Sequence, residues 1–276
     1  MEHPRFPELQ HESIAVTRDA YHAWATLLGD WLKALRPRRK HWWHSSLRPS
    51  IAGLTTGVIR TDVDIELHLN MRNCTLEVQA ADCSTGLELR GQSVDEVSVW
   101  LGDVLAEAGV NTPLKPERRD DREFGAFSRE QSVRIQAAFA SVAASLARFR
   151  AGIREETSPI QVWPHHFDLS MLWLPGDKIP DQDPGNEELA DKQMNFGFVL
   201  GDAGIPAPYL YITAYPQPAG LADTDVPGSA AWHSDGFSGV VLDYAELAAM
   251  ASADDYLQAL WGELLGAGRR LLVGVD

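Results

Sequence analysis

Imidazoles lie close to a guanidinium, carboxylates or hydroxyls at three places in this chain. The first is HWWHSSLRPS, residues 41–50, where His41 and His44 stand three apart around Trp42 and Trp43. Imidazoles serve as metal ligands or as general acids and bases near neutral pH. On a helix the two rings would share a face; on a strand they point to opposite faces. Pro37 and Pro49 bracket the stretch and the Trp and Ser pairs disfavour helix, so the spacing predicts a strand. No metal site is expected here, and no H-E-x-x-H pattern suggests one.

The second place is SPIQVWPHHFDLSMLWLPG, 158–176. Read as one strand, Trp163, His165, Phe167, Leu169, Met171 and Trp173 form the core face, and His166, Asp168 and Ser170 form the other. Sliding 41–52 onto it sets Leu47 against Phe167 and Ile51 against Met171. Ser46, Arg48 and Ser50 then correspond to His166, Asp168 and Ser170. In a pseudo-twofold arrangement Arg48 and Asp168 would meet as a charge-assisted pair; otherwise both sit singly on a wet sheet face. The third place is AAWHSDGFSG, 230–239, with His233 and Asp235 among glycines in an expected loop. A His–Asp pair can move a proton, yet no G-x-S-x-G nucleophile accompanies it. A turn held by Ser234 and Asp235 is the plainer reading.

The elements that position these residues show in the hydrophobic periodicity. Tyr21, Trp24, Leu27, Leu28, Trp31, Leu32 and Leu35 make one stripe and predict a helix from Thr17 to Leu35. VDIELHLNM alternates as a half-buried strand with His68 on its solvated side, and CTLEVQA and GLELRG continue a sheet. Ser93 with Glu96 is a capping box for a helix that Gly109 stops. Ser128 with Gln131 opens a second long helix through Arg150. Strand-like stretches follow at 159–174, 195–200, 208–215 and 237–243, then a last helix from Asp254 to Leu265. The proline- and charge-rich 111–127 is the natural boundary. The expected organisation is a first half over 1–116, a linker over 117–127 and a second half over 128–276, packed as one unit. Each half reads helix, four strands, helix. This is an α+β fold with antiparallel sheets, helices on one side and an internal duplication.

The 276 residues carry a formal net charge of −15, which argues against nucleic acid as a partner. The basic run RPRRK, 36–40, is read as complementing a helix C-terminus. No apolar run reaches the length of a membrane span, and the N-terminus lacks the order of a signal peptide. A soluble cytoplasmic protein is expected. Cys74 and Cys83 are read as free buried thiols. The acidic stretch 175–192 fails the EF-hand template, since its glycine comes early and Lys192 stands where the bidentate glutamate belongs. Glycine-rich nucleotide signatures are missing, so no cofactor is assigned.

HWWHSSLRPSIAGLTTGVI, SPIQVWPHHFDL and YLYITAYPQPAGL occur in an order that resembles an uncharacterised bacterial family, domain of unknown function 5996. GLTT at 53–56, SP at 158–159, FDL at 167–169 and AYPQP at 214–218 are its most specific pieces. The chain departs from the pattern at Pro164, His165 and His166, at FGFVLGD (196–202) and at Trp173. Sites built on the family's side chains there do not carry over. The resemblance implies no activity. The expected function is binding of a small molecule of unknown identity, with or without catalysis, at a polar site where the halves join. His44, His166, Asp168 and His233 are the candidate catalytic groups, and Trp43, Arg48 and Tyr215 the ligand contacts. The rival reading is a noncatalytic interaction or structural module whose tryptophans are anchors.

Overall fold

A computed structural model describes residues 6–81, 83–111 and 120–274. The expected linker therefore falls partly outside the described residues. The chain divides into two compact units. One, here the N-terminal unit, holds Glu12–Ala140 with Gln161–Asp168; the other, the C-terminal unit, holds Met1–His11, Ser141–Ile160 and Leu169–Asp276.

The N-terminal unit begins with helix α1, His11–Leu35, six residues longer at its start than the apolar stripe foretold. Strands β1 (Arg48–Pro49), β2 (Gly53–Thr55), β3 (Ile59–Arg60), β4 (Asp64–Asn70), β5 (Thr75–Ala80) and β6 (Cys83–Glu88) follow. They form an antiparallel sheet in the order β1-β2-β4-β5-β6, with β3 also beside β4. Alternation in β4 buries Ile65, Leu67 and Leu69 while Glu66 and His68 stay half-exposed, as period-two patterning requires. Helix α2, Val94–Glu107, starts with the full capping box: Ser93 Oγ accepts from Glu96 N–H and the Glu96 carboxylate accepts from Ser93 N–H. Helix α3, Arg129–Arg150, starts differently. Ser128 Oγ accepts from Gln131 N–H at 3.4 Å, but Ser128 N–H donates to Thr17 Oγ1 at 3.0 Å. The reciprocal half of the box is thus supplied by α1.

After α3 come β7 (Glu156–Thr157), β8 (Gln161–Trp163) and β9 (Asp168–Leu174), then the short helix α4 (Glu187–Ala190). Strands β10 (Gln193–Val199), β11 (Tyr209–Tyr215), β12 (Ala231–His233) and β13 (Gly239–Asp243) follow, then helices α5 (Tyr244–Ala249) and α6 (Ala253–Gly268). The C-terminal sheet runs β12-β13-β11-β10-β9-β7, again antiparallel throughout. Phe149 meets Phe196 and Trp261 at 5.0 and 5.4 Å between ring centroids and anchors the core of this unit.

The class is therefore α+β with two antiparallel sheets. Both halves keep the order helix, strands, helix, but the strand paths do not establish a duplication. Three local readings are corrected. Residues 41–46 are not strand: Lys40–Trp42 is a 3-10 turn with left-handed His41 (φ 48°) and Trp42 (φ 57°). Ser45 and Ser46 hydroxyls bond back to the carbonyls of Trp42 and Trp43, both at 2.9 Å, a local competition with strand pairing that serines favour. Residues 158–176 are not one strand either. A turn at 164–167, with Phe167 at φ 55°, separates β8 from β9. Parity is lost there, so His165 is exposed and β9 is buried on both faces. Lastly, Cys83 is exposed, while Cys74 is buried; both are free.

Candidate functional site

One main-chain contact builds the polar cluster of the N-terminal unit. Leu47 and Val162 exchange both hydrogen bonds, N–H to O at 3.0 and 2.8 Å. In an antiparallel ladder the residues flanking such a pair stand opposite each other with side chains on one face. Arg48 therefore faces Gln161, and its Nη1 donates to Gln161 Oε1 at 2.5 Å. Ser46 Oγ lies 2.7 Å from the same oxygen and 3.2 Å from Arg48 Nη1.

Gln161 is 0% exposed, and among the described residues its Nε2 has no partner. Turning the amide over would aim its N–H groups at a guanidinium donor, so the orientation is dictated by Arg48. Trp43, whose carbonyl accepts from Ser46 Oγ, likewise keeps a buried indole N–H without a partner. Trp31, Trp173 and Trp261 share that state; only Trp43 is tied through Ser46 to a buried amide and a cation. Leaving such donors unsatisfied costs on the order of 1–3 kcal/mol each.

His44, two residues before Ser46, is buried and accepts from Arg39 N–H through Nδ1 at 3.3 Å. That bond places its proton on Nε2. Burial, then the cations Arg38, Lys33 and Arg36, hold its pKa below the ordinary histidine value. His44 is thus a neutral N–H donor in a positive local field, within a chain of net charge −15. The basic run is not helix-dipole decoration. Arg36 Nη2 donates to the carbonyls of Thr56, Gly57 and Val58 at 2.6, 3.3 and 3.2 Å, while Arg38 and Lys40 lie over the Trp42 and Trp43 rings at 5.5 and 5.1 Å.

Among the other candidates, Asp168 opens β9 and is 7% exposed, in the same unit as Arg48. His166 sits exposed in the 164–167 turn. Tyr215 and His233 belong to the C-terminal unit. Tyr215 ends β11, 38% exposed. His233 ends β12 in a hairpin rather than a loop, and its Nε2 meets the main-chain oxygen of Asp235 at 2.6 Å, not the carboxylate. Among the described residues no group of three or more His, Cys, Asp or Glu is placed to hold a metal ion.

Residues 6–268 match the family model described as a family of unknown function, DUF5996. The chain belongs to that family. No curated protein and no solved structure matches it. In this DUF5996 member no helix among the described residues is long and apolar enough to cross a membrane.

Sequence reasoning missed Gln161, the hub of the cluster, because a lone glutamine before an apolar strand carries no motif. It also missed a histidine network on α1. Lys33 Nζ is 2.7 Å from His165 Nε2 and 3.1 Å from Asp30 Oδ1, and His22 Nε2 bonds His165 O at 3.0 Å. The Asp30/Lys33 spacing of three and the His22/Thr26 spacing of four, one helix face, were the readable signals.

Proposed function

We propose that this DUF5996 protein is a small-molecule-binding protein whose ligand carries a carboxylate or phosphate, taken up at the Arg48–Ser46–Gln161 cluster. The observation that carries this reading is the unpartnered amide N–H of fully buried Gln161 beside the Arg48 guanidinium. Among the described residues the buried indole N–H of Trp43 is a further unpartnered donor, and the cations Arg38, Lys33 and Arg36 add positive potential around His44. The unpartnered N–H groups of Gln161 and Trp43 beside a guanidinium fit an anion's oxygens. Binding, rather than a named reaction, is the function proposed.

The test is a thermal-shift and calorimetry panel of mono- and dicarboxylates and phosphomonoesters on the wild type and on Arg48→Met. At least one compound class should raise the wild-type Tm by several degrees and leave Arg48→Met unmoved. A panel without any binder, or a binder indifferent to Arg48, overturns the proposal.

A further inference from the structure

Strand β6 ends the N-terminal sheet, and its sequence offers one edge-protecting feature, the charge of Glu88, whose carboxylate is paired with Arg90 Nη2 at 2.5 Å. CSTGLE contains no proline and no lysine, its only charge is Glu88, and six unbroken pairs to β5 leave no bulge. Natural edge strands of this length are normally blocked by one of these devices. Cys83, Thr85 and Leu87 stand opposite Ala80, Val78 and Leu76 and so share the sheet's core side. Val78 and Leu76 are buried there, but Cys83 and Thr85 are exposed and Leu87 is half-exposed.

The hydrogen-bond phase of the edge follows from the ladder. Leu89 N–H donates to Cys74 O at 2.7 Å, and two residues separate the closing pair Ala80 and Cys83. Both facts make Cys83, Thr85 and Leu87 the residues whose main-chain groups turn toward β5. Ser84, Gly86 and Glu88 therefore present theirs along the edge that no strand of the described residues pairs with. Gly86 is unexplained by its own chain. A Cβ there would lie 3.6 Å from its nearest neighbours, an ordinary contact, and its backbone is not left-handed. A glycine inside a regular strand weakens it and marks a bulge or the close approach of another backbone. Here there is no bulge.

We propose that a second copy of this chain pairs with β6, antiparallel across a twofold axis at Gly86. Only this register sets the three outward residues against one another: Gly86 against Gly86, Ser84 against Glu88 and Glu88 against Ser84. All six outward groups on each strand are then satisfied. Each Glu88 carboxylate meets a serine hydroxyl, not its like-charged copy. Leu87 lies opposite Thr85 on the core side and covers it. This self-complementarity is what singles out a second copy from an unrelated peptide. A single strand pair is small against a standard interface, so the dissociation constant lies between about 1 and 100 µM.

Sedimentation equilibrium of the full chain from about 1 µM to 1 mM tests this. The wild type should dimerise in that range. Ser84→Glu, which places like charges opposite at two symmetric positions, should weaken the dimer about tenfold. Ser84→Lys should tighten it, and Gly86→Pro, which removes an outward donor, should abolish it. Far-UV circular dichroism shows that each variant is folded. Spin labels on Cys83 should report a pair whose Cα atoms are about 20 Å apart, six residues at strand rise. A wild type monomeric at 1 mM overturns the proposal. So does a dimer indifferent to both Ser84 changes, or one without a label pair near that distance.

Discussion

Replacing Gln161 by Met tests whether the amide organises its cluster. The side chains are similar in size, so packing is nearly conserved, while the carbonyl that accepts from Arg48 at 2.5 Å, and that at 2.7 Å from Ser46 Oγ shares the single Ser46 hydroxyl proton with Trp43 O, is lost. A bond from a charged donor contributes about 1.5–3 kcal/mol and one from a hydroxyl about 1 kcal/mol. Against this, the change removes the unpartnered Nε2, whose burial costs about 1–2 kcal/mol. The net is a destabilisation of about 0.5–3 kcal/mol. Urea unfolding followed by tryptophan fluorescence measures it, with Ser46→Ala and the double variant completing a cycle. The coupling between the two sites should be about 1 kcal/mol. A Gln161→Met protein as stable as the wild type, with no coupling to Ser46, would refute the reasoning.

Three further outcomes follow from other contacts. Arg269 grips Glu155 through Nε and Nη2 at 2.6 and 2.8 Å and holds its pKa down to about 2. The folded value lies below the unfolded one, so this stability is present above about pH 4.5 and lost as the pH falls toward 2. Glu155→Gln should cost about 1 kcal/mol at pH 7, screening by solvent included, and nothing at pH 2; denaturation curves at both values check it. Gly197→Ala brings a Cβ to 2.3 Å from the Tyr211 ring. The ring must move off the sheet and release Asn195 Nδ2, bonded at 3.2 Å, with a cost of about 1–3 kcal/mol and a changed tyrosine signal in near-UV circular dichroism. Ser93→Ala removes the acceptor for Glu96 N–H and should lower stability by about 1 kcal/mol; an unchanged urea midpoint would discount the cap.

Local signals were legible wherever the chain is governed by its neighbours in sequence. The stripe of α1, the alternation of β4, the capping box at Ser93 and the stop at Gly109, left-handed at φ 90°, all stand as spacing predicts. Alternation failed where a side chain outcompeted the ladder. Ser45 and Ser46 fold their hydroxyls back on the carbonyls of Trp42 and Trp43, and Phe167 takes a left-handed turn that resets parity.

The residues of the candidate site divide along the same line. Arg48, Trp43, His44 and Asp168 could be named from residue type and from the prolines and serines around them. Gln161 could not, because its importance lies in one long-range pairing, Leu47 with Val162, 115 positions apart. That pairing chooses which side chain faces Arg48, and no local periodicity encodes it. The sequence by itself determined the long amphipathic helices, the alternating strand β4 and the supply of donors. Tertiary structure alone decided which donors share one buried oxygen and which are left without a partner, because hydrogen-bond satisfaction is settled by contacts distant in the chain.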